Sequence, residues 1–140
     1  MAIDDYAFEE CYTLKSVTIP GSVTSIGQSA FYNCFNLTNI AVNAANPNYA
    51  SAGGVLFDKT MTTLIECPGG LTGSYAIPSS VTVIGDSAFR QCYYLTSVTM
   101  GNNVTSIGDG AFVDVGLTSL AIGGEVSTIG EWRLVKDSIF

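Results

Sequence analysis

Val23-Thr24-Ser25-Ile26-Gly27-Gln28-Ser29-Ala30-Phe31 recurs as Val81-Thr82-Val83-Ile84-Gly85-Asp86-Ser87-Ala88-Phe89 and again as Val104-Thr105-Ser106-Ile107-Gly108-Asp109-Gly110-Ala111-Phe112. Self-similarity of this kind is the signature of a repeat architecture. A second block follows each copy: Cys34-x-x-Leu37-x-x-Ile40-x-Val42, then Cys92-x-x-Leu95-x-x-Val98-x-Met100, then Leu117-x-x-Leu120-x-Ile122 with the cysteine replaced near Val115. The first coil enters at Ile3 and continues Ala7-Phe8-x-x-Cys11-x-x-Leu14-x-x-Val17-x-Ile19-Pro20. Phe8 and Phe31 are 23 residues apart, as are Phe89 and Phe112, but Phe31 and Phe89 are 58 apart. About one and a half coils are therefore inserted between the second and third regular copies. A further copy opens at Val126-Ser127-Thr128-Ile129-Gly130 and fails, because Arg133 and Leu134 stand where Ala and Phe belong.

The alternation at the end of each coil is a strand period, which turns Leu95, Val98 and Met100 inward and Thr96, Ser97 and Thr99 outward. In Ile-Gly-x-x-Ala-Phe the glycine is read as permitting a tight turn, with Ala-Phe filling the core from a short helical or 3-10 turn. A lone coil buries too little to offset the entropy of ordering it, so each coil depends on its neighbours and the two ends need covers. The expected fold is an α/β right-handed solenoid of leucine-rich-repeat type: β-rich, with short helical or 3-10 turns, parallel strands on a concave face and a β-hairpin-containing insert. One domain spans 1–140, with coils at about 3–20, 21–42, 79–100 and 101–122, a partial coil at 123–130, a long insert unit at 43–78 and an irregular tail at 131–140. Equivalent side chains should stack, with Phe31, Phe89 and Phe112 in one continuous interior row.

The insert contains Gly53-Gly54-Val55-Leu56-Phe57, Asp58-Lys59-Thr60-Met61-Thr62 and Thr63-Leu64-Ile65-Glu66-Cys67-Pro68. Two apolar runs around a polar turn suggest a hairpin. Beyond it, Tyr75-Ala76-Ile77-Pro78 matches Val17-Thr18-Ile19-Pro20, so the solenoid resumes there. Gly69-Gly70-Leu71-Thr72-Gly73 lacks the Gly-Lys-Ser/Thr ending of a phosphate loop and reads as a turn.

Composition narrows the function classes. Acidic side chains number 12 against 5 basic ones, for a net charge of −7, and Lys15, Lys59, Arg90, Arg133 and Lys136 form no stripe, so nucleic acid is not an expected partner. The 140-residue chain has no histidine, which removes the commonest proton-transfer group near neutral pH, and no nucleophile stands beside an evident base. We therefore expect no enzyme activity, and no cofactor or metal. The apolar runs are too short for membrane insertion. Met1-Ala2-Ile3-Asp4-Asp5 has neither the basic start nor the apolar stretch of a secretory signal.

The coil pattern, Ile-Gly-x-x-Ala-Phe-x-x-Cys-x-x-Leu-x-x-Val-x-Ile-Pro, resembles the BspA-like, Treponema pallidum-type leucine-rich-repeat family. The resemblance covers residues 3 to about 130, because the stretch around Asn46, Tyr49, Gly54 to Phe57 and Leu64-Ile65 is similar to that family's long unit. It implies a right-handed solenoid, secreted or displayed on a bacterial or protist cell surface, and a role in adhesion to host proteins or other cells. It implies no catalytic residues.

The candidate interaction surface has two parts. Lys15, Ser16, Thr18, Thr38, Asn39, Ala41, Thr96, Ser97, Thr99, Thr118, Ser119 and Ala121 occupy outward strand positions, forming a small-residue, hydroxyl-rich face suited to a protein or glycan; Thr and Ser also simply tolerate such positions. Lys15, Asn39 and Ala121 break the regularity an ice-matching array would need. Tyr12, Phe35 and Tyr93 follow the repeat cysteine, with Tyr94 and Tyr32 near, and are either an exposed edge of binding anchors or packing between coils. Cys11, Cys34 and Cys92 share one position and read as small buried hydrophobes rather than as a metal or disulfide ladder, with Cys67 apart. Asp86, Asp109 and Glu131, aligned with Asp5 and Gln28, read as N-caps of the helical turn in preference to a calcium column. Asn36 and Asn103 open sequons of the kind a threonine-rich repeat produces by chance. The expected function is a non-enzymatic interaction module binding a host or partner protein or a glycan, the alternative a structural spacer in a longer solenoid; self-association through the solenoid ends is a further expectation.

Overall fold

The computed structural model describes residues 1–131, so the expected tail lies, beyond Glu131, outside the described residues. Each regular coil has two strands. The longer one carries the alternating block and comprises β2 (Ser16–Ile19), β4 (Asn39–Val42), β8 (Gly73–Ala76), β10 (Leu95–Thr99) and β12 (Ser119–Ala121). The shorter one precedes or ends at the Ile-Gly corner: β1 (Ala2–Ile3), β3 (Ser25–Ile26), β9 (Val83–Ile84), β11 (Ser106–Ile107) and β13 (Thr128–Ile129). Between them the insert contributes β5 (Tyr49–Ala52), β6 (Val55–Asp58) and β7 (Thr63–Glu66). Successive coils pair in parallel and in step, with Val17 opposite Ile40, Val98 opposite Leu120 and Ile84 opposite Ile107.

No helix occurs among the described residues, which corrects the expected helical or 3-10 turns at Ala-Phe. The physical reason lies in where the corner amides donate. In the first coil Ala7, Glu9 and Cys11 N–H close turns onto Asp4, Tyr6 and Phe8, at 3.2, 2.9 and 3.2 Å. The alternate amides of Tyr6, Phe8 and Glu10 instead donate to Gln28, Ala30 and Tyr32 of the next coil, at 3.2, 2.8 and 2.9 Å. A helix would commit every amide to its own segment; here half of them are committed to the neighbour. Two left-handed residues per corner enforce this alternation. Tyr6, Ser29, Ser87 and Gly110 form one such column, and Glu10, Asn33, Gln91 and Asp114 the other, all with φ between 51° and 62°.

The repeat glycine also has a different role from the one expected. Gly27, Gly85, Gly108 and Gly130 are not in the left-handed region. A Cβ on Gly108 would stand 2.6 Å from the Asp86 backbone nitrogen, and one on Gly130 2.6 Å from that of Asp109. The glycine is required by the close approach of the preceding coil.

The expected single row of phenylalanines is two rows. Phe8 stacks on Phe31 with ring centroids 5.3 Å apart, and Phe89 on Phe112 at 5.0 Å. Between the pairs runs β6, whose Val55, Leu56 and Phe57 are all fully buried. Its alternation sends Leu56 into the cluster of Ile19, Val23, Phe31 and Leu37, and Val55 and Phe57 into the cluster of Leu64, Phe89, Leu95 and Phe112. A strand buried on both faces reads as an unbroken apolar run, and Val55-Leu56-Phe57 is one. The strand pairs antiparallel with β5 on one side and β7 on the other. Its turn lies against β4, where the Gly54 carbonyl accepts from Ile40 N at 2.9 Å. At the other end the Tyr49 hydroxyl accepts from Ile26 N at 2.9 Å.

Candidate interaction surface

The outward strand residues do not form one sheet. Ser16, Thr18, Asn39 and Ala41 lie on the β2–β4 pair, with Lys15 and Thr38 just before its two strands, whereas Thr96, Ser97, Thr99, Ser119 and Ala121 lie on β8–β10–β12, with Thr118 just before β12. The Gly53–Gly54 turn sits beside β4 and separates the two halves. Several of the hydroxyls are also engaged within the stack. Thr38 Oγ1 donates to the Lys15 carbonyl, Thr96 Oγ1 to Gly73 and Thr118 Oγ1 to Thr96, each at 3.2 Å, and Ser97 Oγ donates to Ser74 Oγ at 2.8 Å. Each of these hydroxyls links one coil to the one before it.

The sequon asparagines do the same. Asn36 Nδ2 donates to the Tyr12 carbonyl at 2.6 Å and Asn103 Nδ2 to that of Ser79 at 2.7 Å. The aligned acids are not N-caps of a helical turn, since no such turn exists. Asp5, Asp86 and Asp109 each present Oδ1 to the N–H of the equivalent residue one coil on, namely Gln28, Asp109 and Glu131, at 2.7, 2.8 and 2.7 Å. The acid is a rung between coils, and Gln28, whose following coil is the insert, has no such rung to supply.

The cysteines are free thiols, buried except for half-buried Cys11. Cys34 Sγ lies 3.0 Å from the Phe8 carbonyl and Cys92 Sγ 3.5 Å from that of Cys67. Burial pushes the Cys34 thiol up to about 11 and Cys67 upward as well, which keeps both protonated and unreactive near neutral pH.

The aromatic positions come together. Tyr12 and Phe35 lie with centroids 6.0 Å apart and nearly parallel planes, and Phe35 meets Tyr93 at 5.6 Å. Tyr12 is 48%, Tyr93 44% and Tyr94 52% exposed, which decides between an open edge and internal packing. The second contact spans the insert. It is permitted because the insert passes this corner as Gly69-Gly70: a Cβ on Gly70 would come within 2.9 Å of the Phe35 carbonyl. The ladder ends at Gly116, the residue at this position in the next coil. That coil is one residue shorter here, and a Cβ on Gly116 would collide with the Tyr93 carbonyl.

Beside the edge the shortened insert corner leaves residues that sequence reading did not single out. Arg90 places its guanidinium 4.9 Å from the centre of the Tyr32 ring, and its Nε is buried without a hydrogen-bond partner. Tyr32 in turn meets Tyr6 edge-on at 5.9 Å. Gln91, buried, accepts from Asn33 N at 3.2 Å and so ties the second coil to the third across the insert. Glu66 faces inward beside Cys34 and Cys67. Desolvation raises its carboxyl to about 7, partly offset by the Phe31 backbone N–H. The signal for these was the spacing: Leu64-Ile65-Glu66-Cys67 is two residues shorter than Ile84-Gly85-Asp86-Ser87-Ala88-Phe89 between residues that stack. Leu64 pairs with Ile84, and Cys67 N donates to the Ala88 carbonyl at 2.7 Å where Phe89 N donates to Ala111.

A raised carboxyl destabilises the fold when it ionises. Taking the usual glutamate value of 4.5 for the unfolded chain, the folded state binds the proton more tightly, so stability present below about pH 4.5 is lost as pH rises through about 7. The loss is expected to be about 3 kcal/mol. Thermal melting from pH 4.5 to 8 should show it, and Glu66→Gln should remove most of the slope; an unchanged slope in that variant would assign it to other groups.

Residues 71–138 match the family model described as BspA type Leucine rich repeat region (6 copies). A leucine-rich repeat protein from Eubacterium ventriosum is 35% identical, with a TM-score of 0.84 over 93% of this chain and 35% of its own. A leucine rich cell surface protein from Faecalibacterium prausnitzii is 28% identical, with a TM-score of 0.53 over 92% of this chain and 38% of that one. The pneumococcal vaccine antigen PcpA, 23% identical, shares the fold with a TM-score of 0.71 over 93% of this chain and 38% of its own. The chain thus spans little more than a third of the length of these solved proteins. No curated protein matches. No helix among the described residues is long and apolar enough to cross a membrane. The family match and the in-step recurrence of its coil from Ile3 onward place the chain in the BspA-type leucine-rich-repeat family.

Proposed function

We propose that the chain is a non-enzymatic interaction module of a surface or secreted protein, and that its contact surface is the Tyr12–Phe35–Tyr93–Tyr94 edge rather than the strand face. The observation that carries this is the contiguous row Tyr12–Phe35–Tyr93 with both its tyrosines and the adjoining Tyr94 exposed, where an apolar body and a polar tip are presented together. The strand hydroxyls of Thr38, Thr96 and Thr118 already serve the stack, which lowers their value as contacts. The cell-surface localisation rests on likeness to the Faecalibacterium cell surface protein, and the partner class is an extracellular protein or a glycan.

The test is a binding screen of the chain against purified extracellular-matrix proteins and glycans. Tyr12→Ala combined with Tyr93→Ala is expected to weaken a genuine interaction about tenfold or more, while lowering the melting temperature by only a few degrees, since both rings are about half exposed and lose only their contacts with Phe35. Silence across the screen would overturn the proposal. The reading as a structural spacer is favoured by the same inter-coil use of the hydroxyls. It requires that a longer protein containing this segment bind its partners equally well with the four aromatic residues substituted.

A further inference from the structure

The aromatic edge has an acidic rim. Glu10 and Asp114 occupy the left-handed corner position, with φ of 58° and 54°. Both are exposed, as is Glu9. The Tyr12 and Tyr93 phenols are both held above their usual value, by desolvation first. For Tyr12 the next cause is the negative charge of Glu10, with Glu9 adding to the field; for Tyr93 it is Asp114. The cation on this side is Arg90, which also acts on Tyr93. Its guanidinium is already laid against Tyr32, an example on this same edge of a guanidinium resting on a tyrosine.

Exposed phenols with carboxylates beside them attract planar cations, through the carboxylates and the phenol oxygens, because the ring edge itself carries the positive end of the quadrupole. A guanidinium is weakly hydrated, always charged, and able to stack on an aromatic ring while pairing with a carboxylate, which an ammonium does less well. The spacing adds a length constraint. The three rings follow one another at 6.0 and 5.6 Å, whereas alternate side chains of an extended segment are about 6.6 Å apart. Every second residue of such a segment can therefore meet a ring.

We infer that the Tyr12–Phe35–Tyr93 edge receives an extended, arginine-rich segment of a partner protein, which runs along the row of rings with alternate arginines directed to the phenols and to Glu9, Glu10 and Asp114. The inference rests on the reading of this edge as the contact surface and adds the chemistry of what it contacts.

The experiment titrates the full chain with a fluorescent Arg-Ser-Arg-Ser-Arg-Ser peptide, with the same peptide carrying lysine, and with the uncharged citrulline peptide, at low and moderate salt. The arginine peptide is expected to bind, the lysine peptide several-fold more weakly, and the citrulline peptide not measurably. Tyr12→Ala with Tyr93→Ala should weaken arginine binding about tenfold. Glu10→Gln with Asp114→Asn should weaken it and flatten its salt dependence. Equal binding by the tyrosine variant would reduce the effect to diffuse attraction by the −7 charge and overturn the inference, as would equal binding of the citrulline peptide. If the arginine peptide fails while a protein or glycan in the screen still loses affinity in the tyrosine variant, the inference falls and the contact surface stands. Silence of both sinks both.

Discussion

Gly108→Ala is expected to lower the stability of this chain by about 4 kcal/mol, and Gly85→Ala by only about 1 kcal/mol, although the two glycines hold the same place in adjacent coils. The difference comes from what precedes each of them. Behind Gly108 is a regular coil, and a Cβ there would collide with the Asp86 carboxylate and stand 2.6 Å from the Asp86 nitrogen and 2.7 Å from the Gly85 carbonyl carbon. Backbone on both sides prevents relief by side-chain rotation. The shift would also open the 2.8 Å bond from Asp109 N to Asp86. Behind Gly85 is the insert, and the nearest atom is the Leu64 carbonyl oxygen at 3.0 Å, a contact that a shift of a few tenths of an ångström relieves. Melting temperatures of the two variants check this; the first should fall by about 14 °C and the second by about 3 °C. Equal losses would mean that the glycine serves the local turn rather than the approach of the preceding coil.

Asn46→Ala is expected to cost about 3 kcal/mol or more, a large effect for a polar residue in a connecting segment. Asn46 is fully buried, and its amide uses its full bonding capacity. Nδ2 donates to the Pro20 and Val23 carbonyls at 2.9 and 3.0 Å, while Oδ1 accepts from Asn48 N and Tyr49 N at 2.8 and 2.9 Å. The side chain thereby does for the second coil what a following strand would do, and it shapes the turn that delivers the Tyr49 hydroxyl to Ile26. Asn46→Asp separates the two functions, since it keeps the acceptor and replaces the donor by a buried charge facing two carbonyls. It should be at least as damaging as alanine. Denaturant unfolding of the three proteins gives the answer, and a harmless aspartate would show that only the turn matters.

The strands were legible because their signal is local. Leu95, Val98 and Met100 alternate with polar residues, and the core they predict is the core observed. The corners were not legible for an equally physical reason. Ala-Phe-x-x-Cys has helical spacing, and the feature that forbids a helix is the donation of Tyr6, Phe8 and Glu10 amides to another coil, a long-range fact. The left-handed positions gave little help, since Tyr6, Ser29, Ser87 and Gln91 are not residues that favour that conformation. The aromatic edge was legible as a repeat position, since Tyr12, Phe35 and Tyr93 each follow a cysteine. Its continuity across the insert was not, because it depends on two glycines that read only as a turn. Glu66 and Arg90 were hidden by the shortened corner, whose missing two residues show only once Leu64 is set against Ile84.

The burial of β6 on both faces has a consequence for how the molecule comes apart. With Leu56 committed to one side and Val55 and Phe57 to the other, the stack is two blocks sharing a partition, not a uniform spring of equal coils. Nearest-neighbour coupling propagates along a solenoid, and here it must pass through the insert and the few contacts that cross it, Asn33–Gln91, Phe35–Tyr93 and Tyr32–Arg90. Loosening of the amino-terminal block can therefore stop at that wall, leaving the carboxy-terminal coils folded behind it.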